Sequence, residues 1–194
     1  MAAPKAFSHV VLKTFRLAAM RDWYCAVLGA HVVHETPGKA VFLTYDEEHH
    51  RVAITQLDGE PPANVPKPTA GLLHLAYTYS DIRVLLGQFD ALRRQGIEPL
   101  ASVNHGPTVS LYYVDPDGNR VELLIDRFAT VQEAIDFMGT PGFQKNPAGV
   151  DIDPARLFDL MKTGASDEEL ITFEPSADGF DPIWYKKHLE HMGL

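Results

Sequence analysis

A single cysteine, Cys25, excludes an internal disulfide and fits a reducing compartment. Basic residues are in deficit. Seventeen Lys and Arg stand against 26 Asp and Glu, and the formal charge of -9 argues against nucleic acid or an anionic membrane surface as the main partner. No apolar run approaches the roughly 18 residues needed to span a bilayer. The opening MAAPKAFSHVVLK lacks a long apolar core after a basic start, so no signal peptide is expected. These absences lead to the expectation of a soluble, cytoplasmic chain. Its 194 residues, 45% hydrophobic and 22% charged, are of ordinary globular composition.

What is present is one pattern used twice. FSHVVL (7–12) reads as a strand, and RLAAMRDWYCAVLG (16–29) carries apolar residues at helical spacing and stops at Gly29. Three β-like runs follow: HVVHET, KAVFLTYD and RVAITQL. The segment GEPPANVPKPTAG (59–71) reads as a linker, being rich in Pro and Gly. LLHLAYTY (72–79) then repeats the opening strand, and DIRVLLGQFDALRRQG (81–96) repeats the helix. IEPLASV (97–103) precedes a hairpin, in which two β-rich runs of 109–125 flank the turn Asp115-Pro116-Asp117-Gly118. The fold class expected is α+β: two tandem βαβββ modules, about 5–58 and 72–127, forming a shared open barrel-like cleft. Residues 128–194 shift in composition and read as a helical C-terminal extension with no catalytic spacing of its own. Cys25 is expected to be a buried small hydrophobe in the first helix.

Glu122 is the odd residue of the hairpin. Its strand has apolar residues on both faces, and a lone buried carboxylate costs several kcal/mol. Its compensating partner is an arginine such as Arg120 or Arg127, a proton, or a metal ion. His9 and His74 occupy matching points on the opening strands of the two modules. Two imidazoles and one carboxylate form the set that holds non-haem Fe(II) on one face of an octahedron, with the other positions open. Aligning RVAIT (51–55) on RVELL (120–124) sets Ala53 opposite Glu122, so the first module supplies no second acid.

FSHVVL followed by WYCAVLG, then HHRVAI, LHLAY and above all NHGPTVSLYYVDPDGNRVEL resemble the vicinal oxygen chelate (glyoxalase/bleomycin resistance/dioxygenase) superfamily. Within it, the chain resembles type I extradiol dioxygenases of the biphenyl-2,3-diol and catechol kind, over about residues 5–127. The resemblance implies a metal site of His9, His74 and Glu122 holding Fe(II), a set that also accepts Mn(II). It implies catalytic roles for three more residues. His50 would stand on the oxygen side, with neighbouring His49 left as the alternative; His105 and Tyr112 would contact the substrate oxygens. The activity implied is cleavage of a catechol-type vicinal diol with O2 by a homo-oligomer, a dimer or larger. Well-known relatives carry two module pairs, whereas this chain has one pair and an unfamiliar tail.

Two other readings stay open on the residues. A glyoxalase-like lyase or epimerase on this scaffold wants a second acid, which Ala53 argues against and which Gln56 keeps alive. A metal-free binder of aromatic ligands has no need of His9, His74 and Glu122 together. His31, His34, His188 and His191 are assigned to surface or structural roles.

Overall fold

The computed structural model describes residues 2–61 and 71–173. Most of the expected linker, the last expected helix, and His188 and His191 lie outside the described residues. The chain is an α+β protein of two compact units: Met1–Val65 with the hairpin loop Asp115–Gly118, and Pro66–Val114 with Asn119–Leu194.

The first unit runs β1 (Val10–Thr14), α1 (Leu17–Leu28), β2 (His31–Thr36), β3 (Ala40–Thr44) and β4 (Val52–Gln56). Its sheet has the order β1-β4-β3-β2, with β1 parallel to β4 and the other pairs antiparallel. Leu17, Met20, Tyr24, Val27 and Leu28 recur at helical spacing and bury one face of α1 against β3 and β4. Arg16 offers α1 no side-chain cap. The Gln56 amide oxygen takes that role, accepting from Leu17 N–H at 3.1 Å. Gly29 ends the helix at φ +62, a left-handed conformation that glycine adopts without a Cβ penalty. In the same unit the Tyr24 hydroxyl donates to Asp115 at 3.1 Å, and Arg16 pairs with Asp117 at 3.2 Å. Cys25 is only partly buried, a correction to its expected core position, because it lies beside the apolar stripe of α1.

The second unit repeats the order with β5 (Leu75–Thr78), α2 (Ile82–Arg93), β6 (Ala101–Asn104), β7 (Thr108–Val114) and β8 (Arg120–Asp126). Asp81 caps α2 by accepting from Val84 N–H at 2.8 Å. The tail continues as α3 (Val131–Met138), α4 (Pro141–Lys145), β9 (Val150–Asp151), α5 (Pro154–Lys162) and α6 (Asp167–Leu170). It is not wholly helical as expected, since β9 joins the sheet in the order β5-β8-β7-β6-β9. α2 packs on β8 and on α5.

The two sheets share an internal register. Val11 faces Ala53 across β1 and β4, and Ala76 faces Glu122 across β5 and β8. His9 and His74 each stand two residues before the first member of these pairs, so Ala53 and Glu122 are equivalent positions. Both histidines lie just ahead of their strands rather than within them, a correction to the sequence reading. The ladder of β1 opens at Val10, whose N–H donates to the Arg51 carbonyl at 3.0 Å. The carbonyls of Phe7 and Ser8 instead accept from the Arg51 guanidinium, each at 3.0 Å.

Candidate metal centre and active site

Glu122 lies mid-strand on β8 and is 6% exposed. Its cross-strand neighbour on β7 is Tyr112, whose hydroxyl donates to Oε1 at 2.8 Å. The other oxygen, Oε2, stands 2.9 Å from His74 Nε2. Ser110, on the same face of β7 as Tyr112, also favours the ionised carboxyl. Burial pushes the Glu122 carboxyl up, but the polar groups of His74, Ser110 and Tyr112 outweigh it and hold the group below the ordinary glutamate value. Arg127, one arginine considered as a partner, is engaged elsewhere. It donates to the Gly106 carbonyl at 2.7 Å, and its guanidinium lies 5.2 Å from the Phe128 ring centre and 5.5 Å from that of Phe137.

The contacts continue past Tyr112. His105 Nε2 lies 2.9 Å from the Tyr112 hydroxyl, and His105 Nδ1 lies 2.7 Å from the Ala148 carbonyl. Burial drives the His105 imidazole toward its neutral form, against the opposing pull of Glu122 and the Ala148 carbonyl. Burial, reinforced by the Glu122 charge and hydrogen bond, raises Tyr112 well above the ordinary phenol value, so it stays a donor. His105, Tyr112, Glu122 and His74 thus form one polar chain across the second unit.

In the first unit the structure gathers a different group. The His9 ring is exposed and lies 4.4 Å from the His50 ring between centroids. His50 packs edge-on against Phe42 at 5.2 Å, and its Nδ1 is 2.6 Å from that of His49. Desolvation, then the neighbouring His9 and His49, lower the His50 pKa below the ordinary imidazole value. Gln56, which kept a lyase reading open, accepts from Leu17 N–H and donates to the Leu57 carbonyl at 2.9 Å. Its amide is therefore engaged in holding the start of α1.

The residues of the second unit fit a metal ion in part of the way the sequence suggests. Two donors each bound about 2.1 Å from one octahedral ion stand about 3 Å apart. The 2.9 Å between His74 Nε2 and Glu122 Oε2 matches one such edge, and the donor set, imidazole and carboxylate, suits Fe(II) or Mn(II). The same gap suits an imidazole–carboxylate hydrogen bond when no ion is present. His74 Nδ1 is buried without a hydrogen-bond partner among the described residues. His74 and Glu122, both of the second unit, are two members of the expected set, and their side chains meet at 2.9 Å.

Sequence reasoning missed Ser110 and the tail. Ser110 was accessible by strand parity, since it sits two residues before Tyr112. The tail's carbonyl at Ala148 had no local signal, because it meets His105 across 43 residues of chain.

A family model described as the Glyoxalase/Bleomycin resistance protein/Dioxygenase superfamily matches residues 6–123. The chain is 47% identical over 174 residues to biphenyl-2,3-diol 1,2-dioxygenase 2 of Rhodococcus globerulus, covering 89% of this chain and 90% of that one. It is 45% identical over 175 residues to biphenyl-2,3-diol 1,2-dioxygenase 3 of the same organism, again covering 89% and 90%. Matches of that length run well past residue 128, so relatives of about this size share much of the tail. Among solved structures, a lactoylglutathione lyase from Agrobacterium tumefaciens matches with a TM-score of 0.51 at 22% identity, over 64% of this chain and 96% of that one. A glyoxylase/bleomycin resistance protein/dioxygenase domain from Frankia sp. EAN1pec matches with a TM-score of 0.54 at 17% identity, over 66% and 96%. These structural likenesses speak to the fold. Two βαβββ modules, the matched family model and the two long relatives agree: the chain belongs to the Glyoxalase/Bleomycin resistance protein/Dioxygenase superfamily, and among its members it resembles dioxygenases.

Proposed function

We propose that the protein is a non-haem Fe(II)-dependent extradiol dioxygenase that opens a catechol-type aromatic vicinal diol with O2. The observation that carries this reading is the buried Glu122 carboxylate, met on one side by His74 Nε2 and on the other by the Tyr112 hydroxyl. The high identity to two biphenyl-2,3-diol 1,2-dioxygenases supports the same reaction class. His9, His74 and Glu122 would hold the ion, which when bound supplies a Lewis acid for the diol oxygens and a path for electrons toward O2. The same donors accept Mn(II). Glu122 is kept ionised, ready to act as a ligand, by the polar groups of His74, Ser110 and Tyr112. Tyr112 stays protonated and can donate to a substrate oxygen, while His105, behind it, limits where that hydroxyl points. His50, against the His9 ring, would accept a proton at a ring nitrogen and return it to oxygen as the O–O bond breaks. In the overall balance one ring C–C bond breaks, both O2 atoms enter the product, and no external reductant is needed.

The lyase reading loses support because Ala53 takes the position equivalent to Glu122 and Gln56 is engaged at α1. The test is anaerobic reconstitution with Fe(II), followed by a catechol panel in air. One O2 consumed per diol with a yellow ring-opened product is expected; an iron-loaded protein that consumes no O2 with any diol refutes the proposal. The reading also expects a cytoplasmic homo-oligomer, a dimer or larger. A monomer in sedimentation velocity would overturn that part.

A further inference from the structure

The stretch between α4 and β9 reaches back to the candidate site. The Ala148 carbonyl can only accept, so the 2.7 Å contact places the proton of His105 on Nδ1. In a neutral imidazole this leaves Nε2 as a lone-pair acceptor 2.9 Å from the Tyr112 hydroxyl, so the single hydroxyl proton lies between two acceptors, Glu122 Oε1 and His105 Nε2. With the proton on Nε2 instead, the same carbonyl would face the lone pair of Nδ1.

The loop that holds this carbonyl has little slack. Asn146 is 2% exposed, and its side chain clamps the loop at both ends. The amide donates to the Gly149 carbonyl at 2.7 Å, and Oδ1 accepts from Gly149 N–H at 3.2 Å. Gly149 adopts φ +94, where a side chain is strained, and it lies flat on the chain beneath. A Cβ there would fall 2.8 Å from His105 Cα and closer still to the Asn104 carbonyl oxygen. One residue on, Val150 pairs with Asn104 in the β9–β6 ladder. The close approach needs glycine, and the ladder fixes its register.

We propose that Asn146 and Gly149 are positioning residues: through the Ala148 carbonyl they hold His105 as its Nδ1–H tautomer with Nε2 turned to Tyr112. The tail then takes part in the active site rather than only covering the sheet. The catalytic side of this inference rests on His105 and Tyr112 acting on substrate; the tautomer does not.

The test uses Asn146→Ala and Gly149→Ala in the full chain, with two readouts. Long-range proton–nitrogen correlation spectra of the metal-free protein, with His105 assigned by its loss in His105→Gln, report which ring nitrogen carries the proton. The wild type should show protonated Nδ1 and bare Nε2, and the variants a mixture or the reverse. After loading with Fe(II), kcat should fall about 10- to 100-fold, the range seen when a partner that orients an active-site imidazole is lost, while KM and bound iron change less than twofold. Asn146→Asp, which keeps the Oδ1 acceptor, should recover part of the loss. A wild-type spectrum with the proton on Nε2 overturns the proposal, whether or not the variants fold. Folded variants with an unchanged tautomer and kcat also overturn it. If no diol is cleaved at all, the spectra still decide the tautomer, so the functional reading can fail separately.

Discussion

Replacing Tyr112 with phenylalanine removes one oxygen and little else. The ring that packs with Ala101 and Val103 remains, as do its edge-on contacts with His74 at 5.6 Å and His105 at 6.1 Å. The hydroxyl donates to an ionised carboxylate at 2.8 Å in a site where Tyr112 is 4% and Glu122 6% exposed. A bond to a charged group is worth about 1.5–3 kcal/mol net. Because His74 and Ser110 still serve Glu122, the lower half of that range applies, and about 2 kcal/mol is the expected loss for the metal-free protein at pH 7. Urea unfolding should show a lower midpoint at unchanged slope. At this chain length, the melting temperature should fall by roughly 4–8 °C. Tyr112→Phe in a Glu122→Gln background should lose much less, with a coupling of about 1 kcal/mol or more in the double-mutant cycle. Additive losses, or a Tyr112→Phe protein within about 0.5 kcal/mol of wild type, would show that the hydroxyl does not support the carboxylate.

His9→Ala should lose stoichiometric iron on dialysis while keeping its fold, read by metal analysis beside circular dichroism; full iron retention would remove His9 from the ligand set. Asp81→Ala should cost about 1 kcal/mol by deleting the cap of α2. Hydrogen bonds from Val84 N–H and the Ser80 hydroxyl hold the Asp81 carboxyl below its ordinary value. A depressed folded-state pKa contributes stability that is present above the unfolded value and lost as pH falls through the folded one. The gap between wild type and Asp81→Ala in thermal melts should therefore close in acid; a gap that widens as pH falls would refute the cap assignment.

Much of the fold could be read from periodicity and punctuation. The first helix, expected over 16–29, occupies Leu17–Leu28 because five apolar residues recur on one face and Gly29 takes a left-handed φ. The strand openings misled for a physical reason. Leu72 and Leu73 look like strand, yet they are 72% and 48% exposed and the ladder to β8 begins only at Leu75. Apolar alternation cannot say where a parallel partner's register starts. The same limit placed His9 and His74 inside strands. Tyr112 beside Glu122 followed from strand parity, whereas β9 did not, being two residues long and defined by its pairing with Val103 and Asn104. The α4 start carries a local signal in Thr140-Pro141, a capping residue followed by proline at the first helical position.

The short strand β9 has a consequence for solubility. It covers part of the outer side of β6, whose free N–H and C=O groups would otherwise offer a template for another chain. A truncation before residue 146 would strip that cover while leaving the hairpin of β7 and β8 intact. Such a fragment is expected to associate edge to edge with its copies, which sedimentation velocity would read as species larger than the full chain gives.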